Sequence, residues 1–233
     1  MNILHAISNL SKQMVSYYIF PEYEKLFSEV SPFQPNDWRE YFGVETQNVQ
    51  IPQEALDYLE QPCPFWNGKS VKETHFLFFV PETLNGKAPT PKNLNELVKG
   101  REDFYNFSIN EEADKPAEGP YWALITKKII PESQMKVHEE RLELLERNFV
   151  EYHAPKTSEV IMSILAMYAK DKVELFHGGS RSTHCLEKVR KISPVSIYSY
   201  HVCPTHPLVI SVLYNDWENP SGLAAIRTFK SNR

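Results

Sequence analysis

The sequence predicts an α+β or α/β chain: a mixed β-sheet flanked by helices, with a helical N-terminal extension. Three observations carry this expectation. Two short apolar runs of β-prone residues sit in the middle of the chain, two apolar-faced helices lie between residues 133 and 171, and the last 60 residues are dense in strand-like runs. Helices and strands therefore alternate centrally and strands cluster at the end, a pattern suited to helices packed on a sheet.

The elements follow in order. Residues 1–60 read as amphipathic helix interrupted by Pro21, Pro32, Pro35 and Pro52, a helical region expected to pack on a main domain of residues 61–233 within one globular unit. Thr74 to Val80 is an almost continuous apolar run stopped by Pro81, which reads as a buried strand. Pro91 to Val98 is a helix candidate with Gly100 as its stop signal. Residues 110–120 form a charged, proline-containing loop and a candidate mobile segment, and Tyr121 to Thr126 gives a second buried strand. A helix beginning near Ser133 places His138, Leu142, Leu145 and Phe149 on one face and pairs Glu143 with Arg147 on another. After Pro155 comes a second helix, capped by Thr157 or Ser158 and apolar nearly all round, hence buried. Leu186 to Lys191 reads as a short helix, and the stretches Val195–Tyr200, Leu208–Leu213 and Leu223–Phe229 read as strands.

Composition excludes more than it assigns. The 233 residues are 42% hydrophobic and 24% charged, ordinary for a globular chain, with 17 Pro against 8 Gly. No two glycines are spaced i, i+2, so no G-x-G-x-x-G dinucleotide turn can be written, and neither Gly68-Lys69 nor Gly86-Lys87 has the earlier glycine of a P-loop. G-x-S-x-G and C-x-x-C are absent, and His138-Glu139 fails as a zincin motif because position 142 is Leu. Net charge is −5; residues 173–233 hold seven Lys/Arg and four Asp/Glu, a balance of +3, which leaves −8 for residues 1–172. So mild an asymmetry argues against general nucleic-acid binding. Three cysteines (Cys63, Cys185, Cys203) make no disulfide framework and point to free thiols in a reducing compartment. No signal-peptide core or transmembrane segment is recognisable. The expected location is cytoplasmic, with export as an effector left open.

Candidate chemistry concentrates between residues 177 and 206. Gly178 and Gly179 are the only glycine pair, and with Ser180 and Arg181 they could cradle an anion; the plainer reading is a tight loop in which Ser182 or Thr183 caps a helix. His177, His184 and Cys185 are the candidate acid, base and nucleophile, and Cys203 could equally pair with a nearby histidine. His201, Cys203 and His206 could hold zinc, although their spacing matches no standard ligand pattern; no other cofactor is expected. The plainer reading of all these residues is a buried thiol and loop histidines. Of the aromatics, Phe65, Trp66 and Trp217 are flanked by proline and polar residues and could line a partner groove.

Three segments carry a resemblance: Cys63-Pro-Phe-Trp-Asn-Gly-Lys-Ser-Val-Lys-Glu-Thr-His75, Val80-Pro-Glu-Thr-Leu-Asn-Gly-Lys87 and Trp122-Ala-Leu-Ile-Thr-Lys-Lys-Ile-Ile-Pro-Glu-Ser133. With Thr183-His-Cys-Leu-Glu187 and Gly222-Leu-Ala-Ala-Ile-Arg-Thr-Phe229, the chain resembles a family of uncharacterised bacterial proteins found especially among chlamydia-like organisms. The family pattern has Tyr-Thr-Arg-Cys where this chain has Ser182-Thr-His-Cys185, so a site built on that arginine would be altered here. The resemblance implies a bacterium with an intracellular lifestyle and no mechanism. The leading expectation is a non-catalytic binding protein whose partner is a protein or a small anionic ligand. The alternative is an enzyme acting on an anionic small molecule or phosphate ester through residues 177–206.

Overall fold

The computed structural model describes residues 31–134, 136–176, 182–189, 193–200, 207–214 and 221–230, and the fold is α+β. The helices are α1 (Pro35–Phe42), α2 (Gln53–Leu59), α3 (Val71–Thr74), α4 (Pro91–Val98), α5 (His138–Asn148) and α6 (Thr157–Asp171). The strands are β1 (His75–Val80), β2 (Tyr121–Thr126), β3 (Thr183–Val189), β4 (Ser193–Tyr200), β5 (Val209–Tyr214), β6 (Gly222–Leu223) and β7 (Ile226–Lys230). They divide into two sheets, an antiparallel one in the order β1-β2-β7 and a mixed one in the order β5-β4-β3-β6. The expected helices of residues 1–30 lie outside the described residues; α1 and α2 occupy the remainder of that N-terminal region.

All six residues of β1 are buried, as a strand covered on both faces requires. Its register pairs Phe79 with Trp122 and, through β2, Trp122 with Phe229, so three large rings line up across the sheet. Trp38 of α1 joins them by donating its indole N–H to the Phe79 carbonyl at 3.0 Å, which satisfies a polar group that burial would otherwise leave costly. Each outer edge of this sheet meets another part of the chain at one point. Phe33 bonds the Leu77 carbonyl and the Phe79 N–H beyond β1, and His153 exchanges two bonds with Ile226 beyond β7.

Helix α6 packs against β1, β3 and β4, and also against α1 and α4. That placement explains its sequence: Val160, Ile161, Met162, Ile164, Leu165, Ala166 and Met167 are all buried, so no face needs to be polar. Each fully buried Ile, Leu or Met contributes about 1.5–3 kcal/mol. Its first turn is held by two carboxylates. Glu159 accepts from the Lys156 N–H at 2.6 Å, and Glu187 of β3 accepts from the Thr157 N–H and hydroxyl, both at 2.8 Å. Negative groups suit the positive end of a helix. The expected cap at Thr157 or Ser158 is thus replaced: Thr157 is the first helical residue, and a distant strand supplies the capping oxygen.

Two further expectations are corrected. Leu186 to Val189 is not helical: residues 183–189 form β3, which pairs with β4 at both its ends and with β6 at Thr183 and His184, while the Leu186 N–H donates to the Pro155 carbonyl; Arg190 and Lys191 lie outside the described residues. No helix therefore exists there for Ser182 or Thr183 to cap. The helix predicted from Ser133 begins at His138, and Pro131–Ser133 is a separate 3₁₀ turn. The charged loop 110–120 is pinned along its length, with Ala113 and Ala117 buried in the core and Asp114 accepting from the Lys92 N–H.

Candidate functional site

His177, Gly178, Gly179, Ser180 and Arg181, and the zinc candidates His201, Cys203 and His206, lie outside the described residues, as does Trp217. His184 and Cys185 are placed, side by side on β3 and therefore on opposite faces of the sheet. Cys185 faces α6 and is 0% exposed. Burial, reinforced by the nearby Glu187 carboxylate, pushes its thiol well above the ordinary range. A thiol held protonated and out of solvent lacks the thiolate that nucleophilic chemistry needs.

His184 points the other way, toward α5, and the sequence arranges α5 to meet it. Glu140 accepts from the Val137 N–H at 3.2 Å at the helix start, and Arg147 sits in the last turn, each placed to suit the helix dipole. Leu145 anchors the buried side in a small apolar cluster with Ile130, Tyr152 and Leu223. His138 and Arg141, three apart, then project from one side onto β3. The Glu139–Lys188 ion pair fastens the same helix to the strand further along.

Arg141, 3% exposed, is the centre of this cluster. Its Nε–H donates to the Ser133 carbonyl at 3.0 Å and its Nη2 to the Ser221 carbonyl at 2.7 Å. Its Nη1 lies 2.8 Å from His184 Nδ1 and 2.7 Å from His184 Nε2. The other His184 nitrogen, Nε2, is 3.0 Å from the Ser221 hydroxyl, and the two Nδ1 atoms of His138 and His184 are 3.4 Å apart. A guanidinium only donates, so the His184 nitrogen that receives Arg141 has to be unprotonated. Burial, then the Arg141 charge, then His138, lower the His184 pKa to about 3. At neutral pH this imidazole is an uncharged structural acceptor. Burial likewise pulls the Arg141 pKa down.

Two more buried polar groups have no counterpart in the sequence reading. His75 meets Thr74 Oγ1 at 2.9 Å through Nδ1 and the Tyr152 hydroxyl at 3.1 Å through Nε2; burial first, with the Lys127 charge adding, lowers its pKa to about 3. Lys127, 2% exposed, donates to the Lys72 and Glu73 carbonyls at 3.0 and 3.3 Å at the end of α3, and burial lowers it to about 8. Cations suit a helix C-terminus, so Lys127 acts as a cap. No local spacing could have revealed either group, since Tyr152 is 77 positions from His75 and Lys127 is 54 from Glu73. Phe65 and Trp66 are half-buried beside His75, with the Phe65 ring against Phe149 and Tyr152.

A different surface is offered by β5, which pairs with β4 along its length. Among the described residues, contacts on its other side are confined to its ends. Leu208 bonds the Asp103 carbonyl and the Tyr105 N–H before the strand begins, and the Tyr214 hydroxyl accepts from the Asn110 N–H at 2.6 Å. Ile210 is buried, whereas Val209, Ser211, Val212, Leu213 and Tyr214 are all half-buried. By alternation Val209, Ser211 and Leu213 share the face opposite Ile210. The strand carries no charge and no proline.

No family model, no curated protein and no solved structure matches the chain. Its function has to be argued from its own surfaces. Among the described residues, no group of three His, Cys, Asp or Glu could hold a metal ion, and no helix is long and apolar enough to cross a membrane.

Proposed function

We propose that this chain is a non-catalytic interaction protein of the bacterial cytoplasm, which accepts an extended segment of a partner protein along the outer side of β5. One observation carries the reading: β5 is an apolar, uncharged strand whose only described ladder partner is β4. Edge strands are ordinarily blunted by charge, proline, bulges or covering chain, and none of the six residues of β5 is charged or proline. An added strand would gain main-chain hydrogen bonds, with Val209 and Leu213 selecting its side chains.

Other features support the non-catalytic part. Cys185 is sealed and protonated, and His184 is buried and neutral beside a guanidinium, so neither described candidate suits acid, base or nucleophilic work at neutral pH. Cys63 and Cys185 are free and buried, in keeping with a reducing compartment. The bacterial origin rests on the motif resemblance.

The test is selection of a random-peptide library on the immobilised full-length protein. Peptides rich in β-branched and aromatic residues should be enriched, and Val209→Lys and Leu213→Lys should each weaken their binding at least tenfold while far-UV circular dichroism stays unchanged. Enrichment of nothing, or of peptides that bind both variants as well as the parent, would refute the reading.

A further inference from the structure

We propose that two copies of this chain pair through β5, antiparallel about a two-fold axis at Val212. The pairing rests on the reading of β5 as an open edge and names its occupant. The direction of the main-chain groups follows from Leu208, whose N–H donates to the Asp103 carbonyl and whose carbonyl accepts from the Tyr105 N–H, away from β4. Main-chain groups alternate sides along an extended strand, so Ile210, Val212 and Tyr214 also aim theirs outward, and Val209, Ser211 and Leu213 aim theirs at β4. The segment that meets Leu208 does not follow the strand. Its Phe107 is buried with the N–H held by Asn95 of α4 at 2.8 Å, and its Glu111–Ala113 turn packs against β3, two strands in from β5. That segment therefore crosses a face of the sheet and leaves the edge beyond Leu208.

Ile210 to Tyr214 is then the length open to a guest strand, and it fixes the register of a symmetric one. In antiparallel pairing, residues that aim outward must oppose residues that aim outward. An axis at Val212 sets Val212 against itself and Ile210 against Tyr214 of the second copy. This register uses all three outward residues, with about six main-chain hydrogen bonds, and leaves Leu208 to its own contacts. An axis at Ser211 or Leu213 uses only two of the three, and one at Ile210 needs Leu208 to complete its ladder. The side chains agree with the central register. On one face Ile210 meets Tyr214, an aromatic–β-branched pair of the kind that stabilises a sheet, and on the other Ser211 meets Leu213. Charge agrees as well. Around a two-fold axis the same patch meets itself, so a charge on the strand would approach a like charge, and β5 carries none. The β-branched and aromatic residues expected of a guest are those that β5 itself contains.

The experiment is sedimentation velocity on the full-length protein from about 1 µM to about 500 µM, a range that spans the affinities of small interfaces. Backbone amide exchange is read by NMR on the same samples. The parent should pass from monomer to dimer, and the Ile210 and Val212 amides should gain protection over the same range. Ser211→Lys combined with Leu213→Lys sets lysines opposite one another and should raise the dimer dissociation constant at least tenfold. Ser211→Glu combined with Leu213→Glu should do the same. An equimolar mixture of the two variants sets each lysine opposite a glutamate and should restore a dimer holding one copy of each. If either variant does not fold, the parent's mass and amide protection decide alone. A parent that stays monomeric, or a dimer in which the Ile210 and Val212 amides gain no protection, would overturn the proposal. A monomeric parent that still binds peptides through Val209 and Leu213 would leave the open-edge reading standing, whereas one that binds none would remove both.

Discussion

Arg141 on α5 and His184 on β3 meet at 2.8 Å, a guanidinium donating to an imidazole that must stay unprotonated to receive it. Helix and strand are joined by this contact 43 positions apart in the chain, and the Ser221 segment ahead of β6 is tied in through both residues. A proton on His184 would remove the acceptor and set two cations side by side.

Stability should therefore fall with acid. His184 and His75 are each lowered from 6.5 to about 3, chiefly by burial. In the unfolded chain both take up protons as pH drops through 6.5, and in the folded chain they do so only near 3. Below 6.5 the unfolded state binds more protons, so stability is fully present above that pH and is lost between about 6.5 and 3. The slope approaches about 1.4 kcal/mol per pH unit for each histidine. Glu159, whose pKa burial raises, opposes this trend. Urea unfolding at pH 7 and pH 5 should differ by about 2–4 kcal/mol, and His184→Gln should flatten the dependence. A flat profile in the parent would contradict the neutral burial of both rings.

Cys185 should resist alkylation. Its 0% exposure and raised thiol pKa leave neither access nor thiolate. Iodoacetamide followed by peptide mass mapping should find Cys185 unmodified in the folded protein and modified in guanidinium. Equal rates in the two states would mean that the β3–α6 contact opens readily.

Tyr121 and Glu159 should prove energetically coupled. The Tyr121 hydroxyl of β2 donates to the buried Glu159 carboxylate at the start of α6. Burial, followed by the Glu159 charge and hydrogen bond, raises the phenol pKa, so Tyr121 stays a donor at any ordinary pH. Tyr121→Phe leaves that carboxylate short of a partner and should cost about 1–3 kcal/mol. Combined with Glu159→Gln the two losses should be less than additive, as for any pair sharing one interaction. Additive losses in chemical denaturation would place the stabilisation elsewhere.

The central elements were legible because their signals are local. β1 and β2 are apolar runs of buried-strand length, and α4 lies between Pro91 and Gly100, whose φ of 78° suits the residue that ends it. The nearly continuous apolar run Val160–Met167 of α6, broken only by Ser163, announces burial without saying against what. β3 was misread because Thr-His-Cys-Leu-Glu-Lys-Val has no clean alternation: His184, Cys185 and Val189 are buried, Leu186 is exposed, and the register with β4 shifts between His184 and Lys188. Its strand conformation is imposed by neighbours on both sides. Of the candidate site, His184 and Cys185 stand out in the sequence, whereas nothing in the spacing of Arg141 among Glu and Leu distinguishes it from an ordinary helix position.

By itself, then, the sequence determined which stretches are apolar enough to be buried and where glycine and proline stop them, since both depend on residues a few positions apart. It also ruled out glycine-loop nucleotide sites, because eight scattered glycines cannot build them. Only the tertiary structure decided that two sheets clasp α6, that Glu187 caps a helix thirty positions earlier, and that Arg141 is sealed against His184. Burial and pairing of charge depend on which surfaces the fold brings together, and contacts that span 30 to 80 residues leave no periodic trace in the chain.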